Sequence, residues 1–134
     1  MKSRKSLFSG IVIAASLLIA SAPAIAEGSF TSYWSNVGVN THTRTWTDTQ
    51  ADSNDTKITH ASCNRTSVTY QLTRERPFPL PDVNEGSRTA SCSGTATNRT
   101  GNWGNVSNSG NFHLTITAIS GGTTVTANSL TISY

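Results

Sequence analysis

The sequence predicts a small all-β domain over residues 27–134, an antiparallel sandwich or partly closed barrel of about seven strands held by one disulfide and preceded by a helical signal peptide. Three observations carry this. Thr dominates wherever residues alternate: 21 Thr, 14 Ser and 11 Asn follow residue 26, and β-branched Thr suits a pleated, half-wet surface while disfavouring helix. Short stretches with an apolar residue at every second position are separated by Gly, Asn, Asp and Pro, with no apolar set at helical spacing for more than about a turn. Cys63 and Cys92 are the only cysteines, and an even count in an exported chain favours a bond between them.

The first 26 residues read as a secretion signal. Lys2, Arg4 and Lys5 precede an uncharged run from Leu7 to Ala20, and small residues at Ala24 and Ala26 suit cleavage after Ala26. The apolar run is shorter than the roughly 20 residues that span a bilayer, so no stable membrane insertion is expected once the leader is removed. The expected location is secreted, extracellular or at the cell surface.

Taking away the leader changes the electrostatics. The whole chain carries a formal charge of +3, but three of its ten basic residues lie in the leader, and the remaining seven face seven acids. A net charge of zero gives no bulk attraction to nucleic acid or anionic membranes, so neither is an expected partner. Val, Ile, Leu and Phe supply only 17 of residues 27–134. Such a core is small, and its disulfide matters correspondingly more.

Along the chain, alternation predicts a long strand over 37–48, interrupted at most by a bulge. It also predicts half-buried strands over 67–74 (Val68, Tyr70, Leu72 on one face), 111–118 (Phe112, Leu114, Ile116, Ala118) and 123–134 (Leu130, Ile132, Tyr134). Strands over 29–34, 57–63 and 87–97 are weaker readings. Ser120-Gly121-Gly122 supplies a hairpin turn. If 58–73 and 82–97 pair as a wide hairpin around the Pro-rich loop, Cys63 falls opposite Cys92 as a cross-strand pair. An immunoglobulin-type disulfide usually has a Trp between its cysteines; here Trp34 and Trp46 precede Cys63, and Trp103 follows Cys92.

No constellation for catalysis stands out. The serines offer no G-x-S-x-G elbow, and the acids are scattered through turns. His42, His60 and His113 form no i, i+2 or i, i+4 pair, and neither cysteine belongs to a C-x-x-C pair. His42 and His113 lie opposite the apolar phase of their strands and should face solvent. Asp48, Asp52, Asn54 and Asp55 cluster, but Thr56 and Lys57 break the calcium-loop pattern, which leaves a solvated turn. No enzyme, metal or cofactor is therefore expected. Four N-x-[ST] sequons are about what this composition produces by chance and carry no weight.

Binding remains. Trp34, Trp46 and Trp103 are flat faces for sugar stacking or protein pockets, unless they cover a core otherwise short of large residues. Trp103, in Gly101-Asn102-Trp103-Gly104-Asn105, has glycines on both sides and few strand neighbours to hold it. In Arg76-Pro77-Phe78-Pro79-Leu80-Pro81, the prolines predict an extended, stiff loop with Phe78 and Leu80 as anchors beside Arg76. The plainer alternative tucks Phe78 into the domain. The expected function is a non-catalytic extracellular module engaging a polysaccharide or protein through these aromatics or this loop. The alternatives are a secreted protease inhibitor or toxin-like effector acting on a protein, and a surface protein that assembles through its strand edges.

Overall fold

A computed structural model describes residues 28–134, so the leader and its cleavage point lie outside the described residues. Within them the chain is all-β: β1 (Ser29–Gly38), β2 (Trp46–Asp48), β3 (Lys57–His60), β4 (Ser67–Glu75), β5 (Val83–Ser91), β6 (Thr100–Asn102), β7 (Gly110–Ser120) and β8 (Thr124–Ser133). They form two antiparallel four-stranded sheets, with strand orders β1-β8-β3-β6 and β2-β7-β4-β5. The expected all-β fold and disulfide are both present.

Each sheet turns one apolar phase inward. The first contributes Phe30, Trp34, Ile58, Val125, Leu130 and Ile132, and the second Val68, Tyr70, Leu72, Phe112, Leu114 and Ile116. These inward residues form the shared core of a half-wet antiparallel sandwich. The outer faces carry the Thr-rich phase, with cross-strand hydroxyl pairs at Thr69–Thr89 and Thr59–Thr100, both 2.8 Å.

The strand predicted over 37–48 does not exist as one unit. Val37 and Gly38 end β1 in the first sheet, Asn40 turns with φ at +65°, His42 makes a lone bridge to Thr115, and Trp46 begins β2 in the second sheet. A continuous alternating stretch thus crosses from one sheet to the other, and that crossing shifts the phase so that Trp46 and Asp48 point inward. β7 shifts phase too. Thr69 pairs with Ala118 but Tyr70 with Ile116, so Thr117 is an extra residue; Ala118 is left exposed, and Ile119, not Ala118, packs against the core. A related irregularity in β8, between Ala127 and Leu130, lets Val125 and Ala127 share the interior with Leu130 and Ile132. β6 falls outside every strand expected from alternation.

The β4–β5 hairpin is present, but its register differs from the one predicted. Ser67 pairs with Ser91 and Tyr70 with Arg88, which is three residues out of step with a register setting Cys63 against Cys92. Cys63 therefore lies in the connection after β3, and Cys92 directly after β5. The bridge closes the open end of the ladder, with the Cα atoms 4.7 Å apart, rather than spanning a strand pair within it. The Cys92 amide donates to Thr66 O (2.9 Å) and the Cys63 amide to Cys92 O (3.3 Å), so the backbone holds the ends together as well.

Two buried tryptophans differ in one respect that a measurement can read. The Trp34 indole N–H donates to Tyr70 Oη at 3.1 Å, whereas Trp46 Nε1 is buried without a hydrogen-bond partner among the described residues. Both rings leave a void when replaced by Phe. Only Trp34→Phe also removes a made bond, while Trp46→Phe removes an unsatisfied donor. Trp34→Phe should therefore destabilise the protein by about 1–2 kcal/mol more than Trp46→Phe in urea melts; equal losses would mean the Trp34 bond contributes nothing.

Candidate functional site

The hairpin between β4 and β5 carries the most exposed large apolar side chain among the described residues, Phe78. At its base the Arg74 guanidinium meets the Glu85 carboxylate at 2.8 Å. One step further, the Arg76 amide donates to Asp82 Oδ1 at 3.0 Å and ties the two ends of the loop together. At the tip the Leu80 amide donates to Pro77 O at 3.0 Å, closing a turn that contains a cis Phe78–Pro79 peptide. With Pro77, Pro79 and Pro81 also restricting φ, little freedom is left for binding to remove.

Phe78 stands on this turn 98% exposed and Leu80 51% exposed. The expectation that Phe78 tucks into the domain is not met: the turn lies past the last β4–β5 pair, Arg74 with Val83, and residues 77–82 are all exposed. The contrast within one residue type is informative. Phe30 and Phe112 are 8% and 1% exposed, so of the three Phe among the described residues only Phe78 is placed in water. Arg76, half-buried at the loop's root, is held through its backbone.

The tryptophans go elsewhere. Trp34 and Trp46 are core residues, which corrects their reading as exposed binding faces. Trp46 stacks on Tyr134 with centroids 5.6 Å apart and on Phe112 at 6.2 Å, and lies 5.9 Å from Phe30. Arg44 caps that cluster, its Cζ 3.9 Å from the Phe30 ring centre. Trp103 is half-buried and held despite its glycine neighbours. Its indole N–H donates to Gly86 O at 2.9 Å, and with the Arg88 Nε to Asn102 O bond (2.8 Å) it joins the β6 edge of one sheet to the β5 edge of the other.

The histidines occupy two different environments. On the outer face of the second sheet, His113 Nδ1 lies 3.0 Å from Glu75 Oε1, and the Thr45 hydroxyl donates to the same oxygen at 2.8 Å. His42 lies edge-on to His113, with centroids 5.2 Å apart. These line a shallow depression beside the root of the Pro-rich loop.

His60 is different: it is buried between the sheets. Its Nε2 is 2.5 Å from Tyr70 Oη, and its Nδ1 is 3.3 Å from Cys63 Sγ. The result is a buried polar chain from Trp34 through Tyr70 and His60 to the disulfide. Burial, with the nearby Arg99 charge adding to it, lowers the His60 pKa from 6.5 to about 4, and burial raises that of the Tyr70 phenol above its usual range.

The sequence reading missed this cluster because strand alternation marks His60 only as sharing the phase of Ile58, and nothing local says that Cys63 folds back on it. In the aspartate-rich stretch, Asp48 is buried and accepts from the Gln50 amide and side chain, both at 2.9 Å. Asp52 accepts from the Asn54 amide at 2.8 Å, as in an Asx turn. No known protein family matches this chain, and neither does any curated protein sequence or solved structure.

Proposed function

We propose that the chain is an exported, non-catalytic module that binds another protein by inserting Phe78, with Leu80 beside it, into an apolar cleft. The observation that carries this reading is the 98% exposure of Phe78 on a loop whose ends and tip are tied by the Arg76–Asp82 and Leu80–Pro77 hydrogen bonds. Rigid aromatic anchors of this kind dominate interface energetics because little ordering entropy opposes their burial. The leader pattern, the disulfide and the near absence of Lys after residue 26 support action outside the cell. With Trp34 and Trp46 in the core and Trp103 bonded across the sandwich edge, stacking on sugars has less to work with than engagement of a protein. The ordered, protruding loop also favours inhibitor-like action on a protein target, such as an extracellular protease, over a passive surface role.

A screen of residues 27–134 against extracellular proteases and insoluble glycans, repeated with Phe78→Ala, tests this. The substitution should leave the stability within about 0.5 kcal/mol of the parent, because the ring touches little of its own domain. It should weaken partner binding by about 2 kcal/mol or more, roughly 30-fold. Binding to a glycan that Phe78→Ala does not alter would overturn the proposal.

A further inference from the structure

The His60–disulfide cluster lies at the end of the β4–β5 hairpin opposite the Pro-rich loop. His60 Nδ1, Cys63 Sγ and Cys92 Sγ all lie within 4.8 Å of one another. Tetrahedral zinc, with bonds of about 2.3 Å to sulfur and 2.0–2.1 Å to nitrogen, sets such atoms about 3.5–3.8 Å apart. The 3.3 Å from His60 Nδ1 to Cys63 Sγ is already close to that. The two sulfurs need only separate, and Cα atoms 4.7 Å apart permit it by side-chain rotation.

The geometry points to a soft-metal site that the disulfide masks: once Cys63 and Cys92 are reduced, their two thiolates and His60 Nδ1 hold one thiophilic d10 cation such as zinc. Three features beyond the ligands fit. His60 Nε2 faces Tyr70 Oη, so the tautomer with its proton on Nε2 donates to that oxygen and leaves Nδ1 free to ligate, while the Trp34 N–H holds the hydroxyl in place. Two thiolates neutralise a dication, which suits a site bordered by the sandwich interior and the Arg99 guanidinium, itself bonded to His60 O at 2.8 Å. Cys63 is half-buried at a surface depression shared with Ser62, Asn64, Thr126 and Asn128, a path for both reductant and metal.

The chemistry balances with an external dithiol as reductant. Its thiolate attacks Cys63 Sγ, the bond to Cys92 Sγ breaks, and Cys92 leaves as a thiolate. The second reductant thiol then displaces Cys63, so the protein gains two electrons and two protons while the reductant becomes a disulfide. Metal binding releases those two protons as both sulfurs ligate.

The test uses residues 27–134 with cadmium as the probe and a water-soluble phosphine as the reductant; the phosphine becomes its oxide with oxygen from water. Reduced protein should bind one cadmium per chain, with a sulfur-to-metal charge-transfer band and β-type circular dichroism, while oxidised protein should show no band. His60→Gln should weaken cadmium binding by more than about tenfold, and Tyr70→Phe by about tenfold. A cadmium-113 chemical shift of mixed sulfur–nitrogen ligation on the unsubstituted protein reads the imidazole directly, whether or not the variants fold. No band after reduction, equal affinity in His60→Gln, an all-sulfur shift, or a reduced chain that stays unfolded with cadmium would each overturn the site.

Discussion

Replacing both Cys63 and Cys92 with Ala is expected to lower the unfolding free energy by about 3–4 kcal/mol, the loop-closure entropy of a bridge across roughly 30 residues. The cysteines are 29 residues apart, and the chain they enclose is the β4–β5 hairpin with its projecting loop. When the bond is absent, the unfolded chain regains the freedom of that whole segment. The folded state keeps its ladder, since the Cys92 amide still reaches Thr66 O. Small domains have roughly 5–15 kcal/mol in total, so the loss is a large share of the stability. In urea, with m of about 1.5 kcal/mol per molar, it appears as a midpoint lower by roughly 2 M at nearly unchanged m. A drop below about 1 kcal/mol would show that the hairpin is held by its hydrogen bonds and core contacts, with the bridge as an accessory.

Acid should act through His60. In the folded protein its pKa lies at about 4 against 6.5 for an open histidine, so between those values the unfolded chain binds a proton that the folded one refuses. Stability is thus full above about pH 6.5, falls as the pH drops through the window, and levels off for this group below about pH 4. The total loss is about 3 kcal/mol, at about 1.36 kcal/mol for each pH unit between 6.5 and about 4. The cause is geometric: a charged imidazole there loses water and sits beside Arg99, with Tyr70 Oη and the Cys63 sulfur at its two ring nitrogens in place of solvent. Urea melts from pH 4 to 7.5 on the parent and on His60→Gln separate this group from the carboxylates, because only the parent should carry the additional slope between pH 4 and 6.5. Parallel curves would show that His60 takes up its proton without resistance.

These two effects share a site but differ in how visible they are beforehand. Pairing of Cys63 with Cys92 follows from there being two cysteines in an exported-looking chain. The low pKa of His60 does not, because it depends first on the burial of the ring between the sheets and then on the Arg99 charge brought beside it from the stretch before β6. The Pro-rich loop lies between these extremes. Its stiffness is legible in three prolines within five residues, whereas the direction in which Phe78 points is not, since a rigid turn can lay a ring on the domain or hold it away with the same backbone.

Period-two alternation is a local property, and on its own it determined that this chain forms strands, roughly where β1, β3, β4, β7 and β8 lie, and that Thr takes the wet face. Which way each alternating set points was decided only in three dimensions. The crossing between β1 and β2 carried Trp46 inward, the extra residue at Thr117 exchanged Ala118 for Ile119, and the three-residue register difference moved the disulfide to the end of its ladder. Each of these is a one- or few-residue slip that leaves local propensity untouched but reverses or displaces faces. The balance among such slips is set by how two sheets fill a shared interior, a condition that no stretch of sequence contains by itself.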